Sequence, residues 1–311
     1  MGEKIIFGKA LCIAFCLLAK NRRGATILKN HLNQGRRGLM QTKTLSNGVQ
    51  IPVIGLGVFQ TPPKDTVNAV NWALDCGYRH IDTAAAYGNE KEVAEGISRS
   101  GFDREDVFIT TKLWNDDMRA GLVREAIATS LKNLGTDYID LYLIHWPVAG
   151  KFVDSWKVME EYYNKGVFKA IGVSNFHERH LDELIRASEI MPMVNQIELH
   201  PFLTQENLVR YNTELGIATE CWGPLARGKV MGDETLARLA HKYGKTIPEI
   251  VLRWEFQRGL ITIPKSAHKE RIIDNIRIFN FILSDADMAS ISALNRNERA
   301  EPRWDPDTFN F

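Results

Sequence analysis

Three segments of the chain end an apolar, β-branched run in a single ionisable residue: His80-Ile81-Asp82, Phe108-Ile109-Thr110-Thr111-Lys112, and the run from Ile139 through Ile144 to His145. Runs of this kind read as buried parallel strands, and a polar side chain where each strand leaves the core is placed to do chemistry. If the three are consecutive members of one sheet, Asp82, Lys112 and His145 converge at its carboxyl edge. Tyr87, in the loop that follows Asp82, joins them. A tyrosine, with an ordinary pKa of about 10, is a weak acid at neutral pH. An ammonium beside it stabilises the phenolate and lowers that value, and a neighbouring carboxylate such as Asp82 keeps the lysine charged in a partly buried place. His145 can hydrogen-bond a substrate oxygen. The set suits delivery of a proton to an oxygen on which negative charge develops, which carbonyl reduction demands, with hydride arriving from elsewhere. Taken singly, each residue has a duller reading as a structural histidine, a capping aspartate or a rim lysine. Their joint occurrence at three successive strand ends favours a site, because active sites of α/β barrels lie at that face.

The elements that must position these residues alternate along the chain. Asn47-Gly48 between two β-prone stretches predicts an opening hairpin. Strands are expected to start near Val53, His80, Val107, Ile139, Ala170, Val194, Ala218 and Leu260. Amphipathic helices are expected near 64–76, 90–100, 120–134, 153–165, 177–189, 205–215, 248–258 and 269–279. Eight strand-then-helix units predict a closed (β/α)8 TIM barrel. An open doubly wound sheet would carry a Gly-x-Gly-x-x-Gly turn after its first strand. Gly55-Leu56-Gly57 is followed by Gln60, so that fingerprint fails. Asp233 to Gly244 reads as an extra short helix and loop, Ser284 as the start of a capped helix, and the tail Asn295 to Phe311 as a loop over one mouth of the barrel.

Composition agrees with one large domain: 311 residues, 44% hydrophobic and 25% charged. The net charge of +1, without long runs of one sign, gives no electrostatic case for nucleic acid. Cys12, Cys16, Cys76 and Cys221 have neither disulfide-framework nor zinc spacing, which fits a reducing compartment, and a cytoplasmic location is expected. Residues 1–39 differ from the rest. An apolar stretch broken by Lys9 precedes a basic tract with Arg22, Arg23, Lys29, Arg36 and Arg37. The run is too short for stable membrane insertion and lacks an Ala-x-Ala site. A disordered or upstream leader is the preferred reading; a basic surface-associating segment and an export signal are the alternatives. The catalytic body, 40–311, begins near Met40 in every case.

The motifs Gly77-Tyr-Arg-His-Ile-Asp-Thr-Ala84, Tyr87-Gly-Asn-Glu90, Thr110-Thr-Lys-Leu-Trp114, Leu141-Tyr-Leu-Ile-His-Trp-Pro147, Ile171-Gly-Val-Ser-Asn-Phe176, Asn195-Gln-Ile-Glu-Leu-His-Pro201 and Ile263-Pro-Lys-Ser266 occur in this order. On them the chain closely resembles the aldo-keto reductases over residues 41–311. It looks most like the microbial branch with 2,5-diketo-D-gluconate, methylglyoxal and prostaglandin F reductases. The resemblance implies reduction of a small-molecule aldehyde or ketone with NADPH, bound in extended form without a Rossmann domain. It implies Tyr87 as proton donor, Lys112 and Asp82 as the pair tuning it, and His145 as the residue orienting substrate.

The same resemblance implies Ser174, Asn175 and Gln196 around the nicotinamide carboxamide and Trp222 stacked on the ring. Gly223 stands where a serine is common, while Pro224, Leu225 and Arg227 match the loop closing over the cofactor. Lys265 and Arg271, with Ser266, are implied at the 2′-phosphate and Asn275 at adenine. Phe59, Trp114, Trp146 and Trp304 are expected to line the substrate mouth with His145. The tail wording Pro302-Arg-Trp-Asp-Pro-Asp307 departs from the common pattern, which leaves the specificity of that loop unassigned. A monomer is expected. The competing functions are a non-catalytic NADP(H)-sensing barrel and a lyase using Lys112 as a Schiff-base amine, although an adjacent Asp opposes the neutral amine such a lyase needs.

Overall fold

The computed structural model describes residues 40–311. The Asn47-Gly48 turn closes the expected hairpin, with β1 (Thr42–Thr44) antiparallel to β2 (Gln50–Pro52). Gly48 sits at φ +87°, a backbone conformation that favours glycine.

Eight parallel strands follow: β3 (Leu56–Gly57), β4 (His80–Asp82), β5 (Phe108–Leu113), β6 (Ile139–Ile144), β7 (Phe168–Ser174), β8 (Val194–Glu198), β9 (Ala218–Trp222) and β10 (Ile261–Thr262). They hydrogen-bond in sequence order, and bridges from Ile54 to Thr262 and from Gly57 to Lys265 join the first segment to the last. The sheet is therefore the expected barrel. Every residue of β5 and β6 is buried, as continuous apolar runs covered on both sides should be. The intervening helices turn their apolar stripes inward; helix Pro63–Cys76, for example, buries Val67, Val70, Ala73 and Leu74. Its neighbour, helix Glu90–Ser100, packs so closely that a Cβ on Gly96 would meet Val70 Cβ at 2.7 Å.

Three element boundaries differ from expectation. The helix expected over 120–134 runs Val123–Leu134, and a short helix that was not expected, Asn115–Ala120, precedes it and ends at Gly121 with φ +74°. The last barrel helix spans only Lys269–Asn275 and gives way to a 3-10 turn at Arg277–Asn280. Val53 donates to Gln41 O beside the hairpin, so the first barrel strand starts later than its apolar run suggests. The extra segment after β9 is a full helix, Glu234–Tyr243, whose Asp233 cap accepts from Leu236 N. Ser284 likewise caps helix Asp285–Ser292, and the tail holds one 3-10 turn, Pro302–Trp304. Among the described residues, no helix is long and apolar enough to cross a membrane. The leader reading for 1–39 lies outside the described residues.

Candidate active site

β4, β5 and β6 are neighbours in the barrel, and the register places Asp82 opposite Thr110 and Lys112 opposite Leu143. Asp82 ends β4, Lys112 lies one residue from the end of β5, and His145 follows β6 directly. All three are buried. Tyr87 ends the 3-10 turn Ala85–Tyr87, which is pinned from both sides. Thr83 Oγ1 donates to Asn89 Oδ1 at 2.8 Å, and Asn89 Nδ2 donates to Val58 O at 3.0 Å.

The four expected residues meet. Lys112 Nζ donates to both Asp82 oxygens at 2.8 and 2.9 Å, to Thr83 O at 2.7 Å, and to Tyr87 Oη at 3.4 Å. The rings of Tyr87 and His145 are 5.6 Å apart, edge to face, and Trp114 meets His145 in the same way at 5.1 Å. Burial alone would lower the Lys112 pKa; the opposing influences, with the Asp82 charge first among them, outweigh it, and the net shift is upward, so the ammonium is retained. Burial lowers His145 well below the ordinary histidine value, helped by the Lys112 charge, so the imidazole is neutral. The expected fall of the Tyr87 pKa is not found. Its enclosed surroundings raise it more strongly than Lys112 lowers it, because a phenolate is poorly solvated there. Tyr87 thus stays a phenol at neutral pH, with its proton available.

These residues open onto a cleft of about 840 Å³. From Tyr87 and His145 it runs past Ser174, Asn175, Gln196 and Trp222 to Lys265 and Arg271. Register explains the middle section: Ser174 lies opposite Gln196, and Gln196 opposite Glu220. Asn175, in the left-handed region at φ +63°, ties the wall together. Its Nδ2 donates to His145 O at 3.0 Å and Ser174 Oγ at 3.1 Å, while its Oδ1 accepts from Trp222 Nε1 at 2.8 Å. Ser174 Oγ donates to Gln196 O at 2.9 Å. Trp222 is thereby tethered to the cleft wall through its indole nitrogen.

The loop after β9 carries Gly223, Pro224, Leu225 and Arg227 into the cleft wall. Gly223, Ala226 and Arg227 all take positive φ there, at +65°, +46° and +55°. Lys265 and Arg271 are exposed at the far end, whereas Ser266 and Asn275 are buried and stand outside the lining. Ser266 Oγ accepts instead from His268 N at 3.1 Å, capping its own turn. Phe59, Trp114, Trp146 and Trp304 all reach the mouth. Trp304 spans it, edge-on to Phe59 at 6.0 Å and to Trp222 at 5.7 Å, with the Arg227 guanidinium 5.0 Å from its ring.

Two features of the site escaped the sequence reading, one in the lining and one behind it. Phe311 stacks on Trp114 at 6.2 Å and meets Trp146 edge-on at 5.1 Å, held by Asn115 Nδ2 and Arg119 Nη2 on its carbonyl oxygen. The aromatic residues 304, 309 and 311 in an otherwise polar tail were the available signal. Glu220 lies wholly buried behind Gln196, although an acid in the middle of a core strand is the same signal that marked Asp82.

The cleft fits an elongated dinucleotide phosphate: an indole face, amides that both donate and accept, and two cations at the far end. Comparisons with known proteins agree. Residues 53–296 match the Aldo/keto reductase family. An uncharacterised oxidoreductase, YtbE of Bacillus subtilis, is 50% identical over 278 residues, covering 88% of this chain and 99% of its own. A glyoxal reductase of the same organism is 47% identical over 268 residues, covering 86% and 97%. A Gox0644 mutant crystallised in complex with NADPH superposes with a TM-score of 0.83 at 39% identity, covering 88% of this chain and 99% of that one.

Proposed function

Because this chain belongs to the aldo/keto reductase family and is an NADP-dependent oxidoreductase with NADPH as cofactor, we propose that Tyr87 is the proton donor for reduction of a small, uncharged aldehyde or ketone. The observation that carries this is the saturation of Lys112. Its ammonium has two carboxylate oxygens and one carbonyl oxygen within 2.9 Å, and it still lies 3.4 Å from Tyr87 Oη. NADPH, when bound, supplies the hydride. As negative charge builds on the carbonyl oxygen, Tyr87 gives up its proton, and the fixed ammonium stabilises the phenolate left behind. Neutral His145 donates a hydrogen bond to the same oxygen through its one N–H and sets its angle to Tyr87.

Ser174, Asn175 and Gln196 orient the carboxamide of the cofactor, and Trp222 provides a stacking face. Lys265 and Arg271 meet its 2′-phosphate. The mouth around Phe59, Trp114, Trp146, Trp304 and Phe311 is mostly aromatic surface, and the Arg227 guanidinium there lies over the Trp304 ring rather than free for an anion, which supports an uncharged substrate. A Schiff-base role for Lys112 is disfavoured by the same saturation, since an amine with its protons held by three acceptors is not a nucleophile. The test is NADPH oxidation followed by absorbance over a panel of aldehydes, 2-oxoaldehydes, 2-oxoacids and keto-sugars. Uncharged aldehydes are expected to turn over and 2-oxoacids to fail; preferred turnover of an anionic substrate would overturn this assignment.

A further inference from the structure

Behind the site, inside the barrel, lies a second carboxyl group that the proposed chemistry leaves unused. Glu220 is fully buried on β9, directly opposite Gln196 on β8. Gln196 Nε2 donates to Glu220 Oε2 at 2.7 Å and to Asp82 Oδ2, also at 2.7 Å. One amide nitrogen therefore sits between two carboxyl groups and is satisfied by both. Glu220 Oε1 finds no hydrogen-bond partner among the described residues; His80 Nε2 is 3.8 Å away and is engaged with Thr110 Oγ1 at 2.9 Å. The groups with charge or titration facing Glu220 are His80 and Asp82 on β4 and Lys112 on β5, with Tyr87 beyond Lys112.

We propose that Glu220 is a positioning residue of the reduction site, which acts through Gln196 and Asp82 to fix the atom that Gln196 offers to the cleft and to set the upper pH limit of reduction. The first part follows from hydrogen-bond chemistry. An amide oxygen turned toward the Asp82 carboxylate would meet only an acceptor, so the nitrogen faces inward, and an uncharged Glu220 accepts from the same nitrogen through its carbonyl oxygen. That leaves the oxygen as the group Gln196 can present to the cofactor, an acceptor for an N–H of the carboxamide. With Glu220 replaced by an apolar residue, half of this constraint is lost and the amide can turn.

The second part follows from charge. Three ionised groups, Asp82, Glu220 and Lys112, would leave the barrel interior with a net negative charge, and burial together with the Asp82 charge pushes Glu220 up to about 8. His80, which burial lowers to about 3, adds no positive charge to offset it. At neutral pH, Glu220 is therefore an uncharged acid. Above its transition it becomes a carboxylate, and its charge raises the pKa of Tyr87 and of Lys112. The sign is protective: as pH rises, the new charge holds the proton on Tyr87 longer than Asp82 alone would. In Glu220→Gln that protection is absent, so the alkaline limb of reduction falls at a lower pH.

This inference rests on Tyr87 as proton donor, so the experiment separates the two. Rates of NADPH-dependent methylglyoxal reduction are measured against pH for wild type and Glu220→Gln, with Tyr87→Phe alongside. The alkaline limb of Glu220→Gln is expected about one pH unit lower, so that turnover at a pH on the wild-type limb, taken relative to that at about pH 6.5, drops at least about threefold. Infrared difference spectra, wild type minus Glu220→Gln, should contain a carboxylic-acid C=O stretch that vanishes as pH passes its transition. Superimposable pH profiles, or the lack of that band, overturn the proposal for Glu220 even if Tyr87→Phe is inactive. If Tyr87→Phe keeps its turnover, the proton-donor reading falls, whatever the infrared titration gives. Should Glu220→Gln fail to fold, the wild-type protein still decides: the carboxylic-acid band must be lost below the alkaline limb, so that Glu220 is charged before Tyr87 loses its proton, and a band still present on that limb sinks the proposal.

Discussion

The two ends of the cleft hold their cations in opposite ways. At the chemical end, Lys112 has no exposed surface and three oxygen acceptors within 2.9 Å. At the far end, Lys265 and Arg271 are exposed, and among the described residues neither has a carboxylate within salt-bridge distance. A saturated, buried cation cannot bind anything further; it acts as a fixed field on the group beside it. Cations with unused donors on an open surface can do the reverse, binding an anion firmly while imposing little on the reaction. Residue type alone does not distinguish the roles, since two of the three are lysines. Their partners and their solvent do.

The largest effect expected from breaking this contrast is at the buried end. Lys112→Met keeps most of the bulk but strands the Asp82 carboxylate against Gln196, and removing one member of a buried ion pair costs about 3–5 kcal/mol. Urea unfolding without cofactor should register a loss of that order, together with loss of reduction. A change under about 1 kcal/mol would mean that water or a shifted side chain replaces the ammonium. Next in size is Tyr87→Phe, which leaves the pair intact and removes only the proton. Turnover should fall about 100-fold or more while the Kd for NADPH changes little, because positioned acid catalysis is typically worth that factor. A variant keeping more than about a tenth of wild-type turnover would be incompatible with the donor role.

What could be read from the sequence follows the same division. The buried end was legible because a polar residue terminating an apolar strand has few structural excuses, and three such strands in succession fix one another's position. Asp82, Lys112 and His145 are brought together by register alone. The direction of the Tyr87 shift was not legible, since it depends on how much water the closed loop excludes, a property of packing across elements far apart in the chain. Glu220 could have been found, as it interrupts the core strand Ala218–Trp222, but its meaning needs the cross-strand pairing with Gln196. At the open end, helix boundaries and side-chain directions matter more. Ser266 and Asn275 carry suitable donors yet are buried outside the cleft lining, and burial at a helix end is not read from residue type. Phe311 was hidden for a related reason: a tail without periodicity gives no indication of where it folds back.

The open end yields the two smaller effects. Arg271→Ala should weaken NADPH binding at least about tenfold and leave NADH nearly unchanged, since a charge-assisted contact to phosphate is worth about 1.5–3 kcal/mol. Kd values from quenching of tryptophan fluorescence would show it, and equal weakening for both cofactors would mean that Arg271 supports the helix or the adenine rather than the 2′-phosphate.

Salt should separate the two ends with no substitution at all. Raising ionic strength from about 0.01 to 1 M shortens the screening length from about 30 to 3 Å, which reaches exposed Lys265 and Arg271 but hardly touches a pair sealed inside the barrel. The Kd for NADPH is therefore expected to rise several-fold and the preference over NADH to shrink toward that of Arg271→Ala. Turnover at saturating NADPH should stay within about a factor of two, because the field at Tyr87 comes from Lys112 and Asp82 at contact distance. The measurement is a pair of titrations, binding and saturated rate, over the same salt series. A saturated rate that falls in parallel with affinity would show that solvent ions reach the Lys112–Asp82 pair during the cycle, and the distinction between a sealed field and an open binding surface would then hold only between catalytic events.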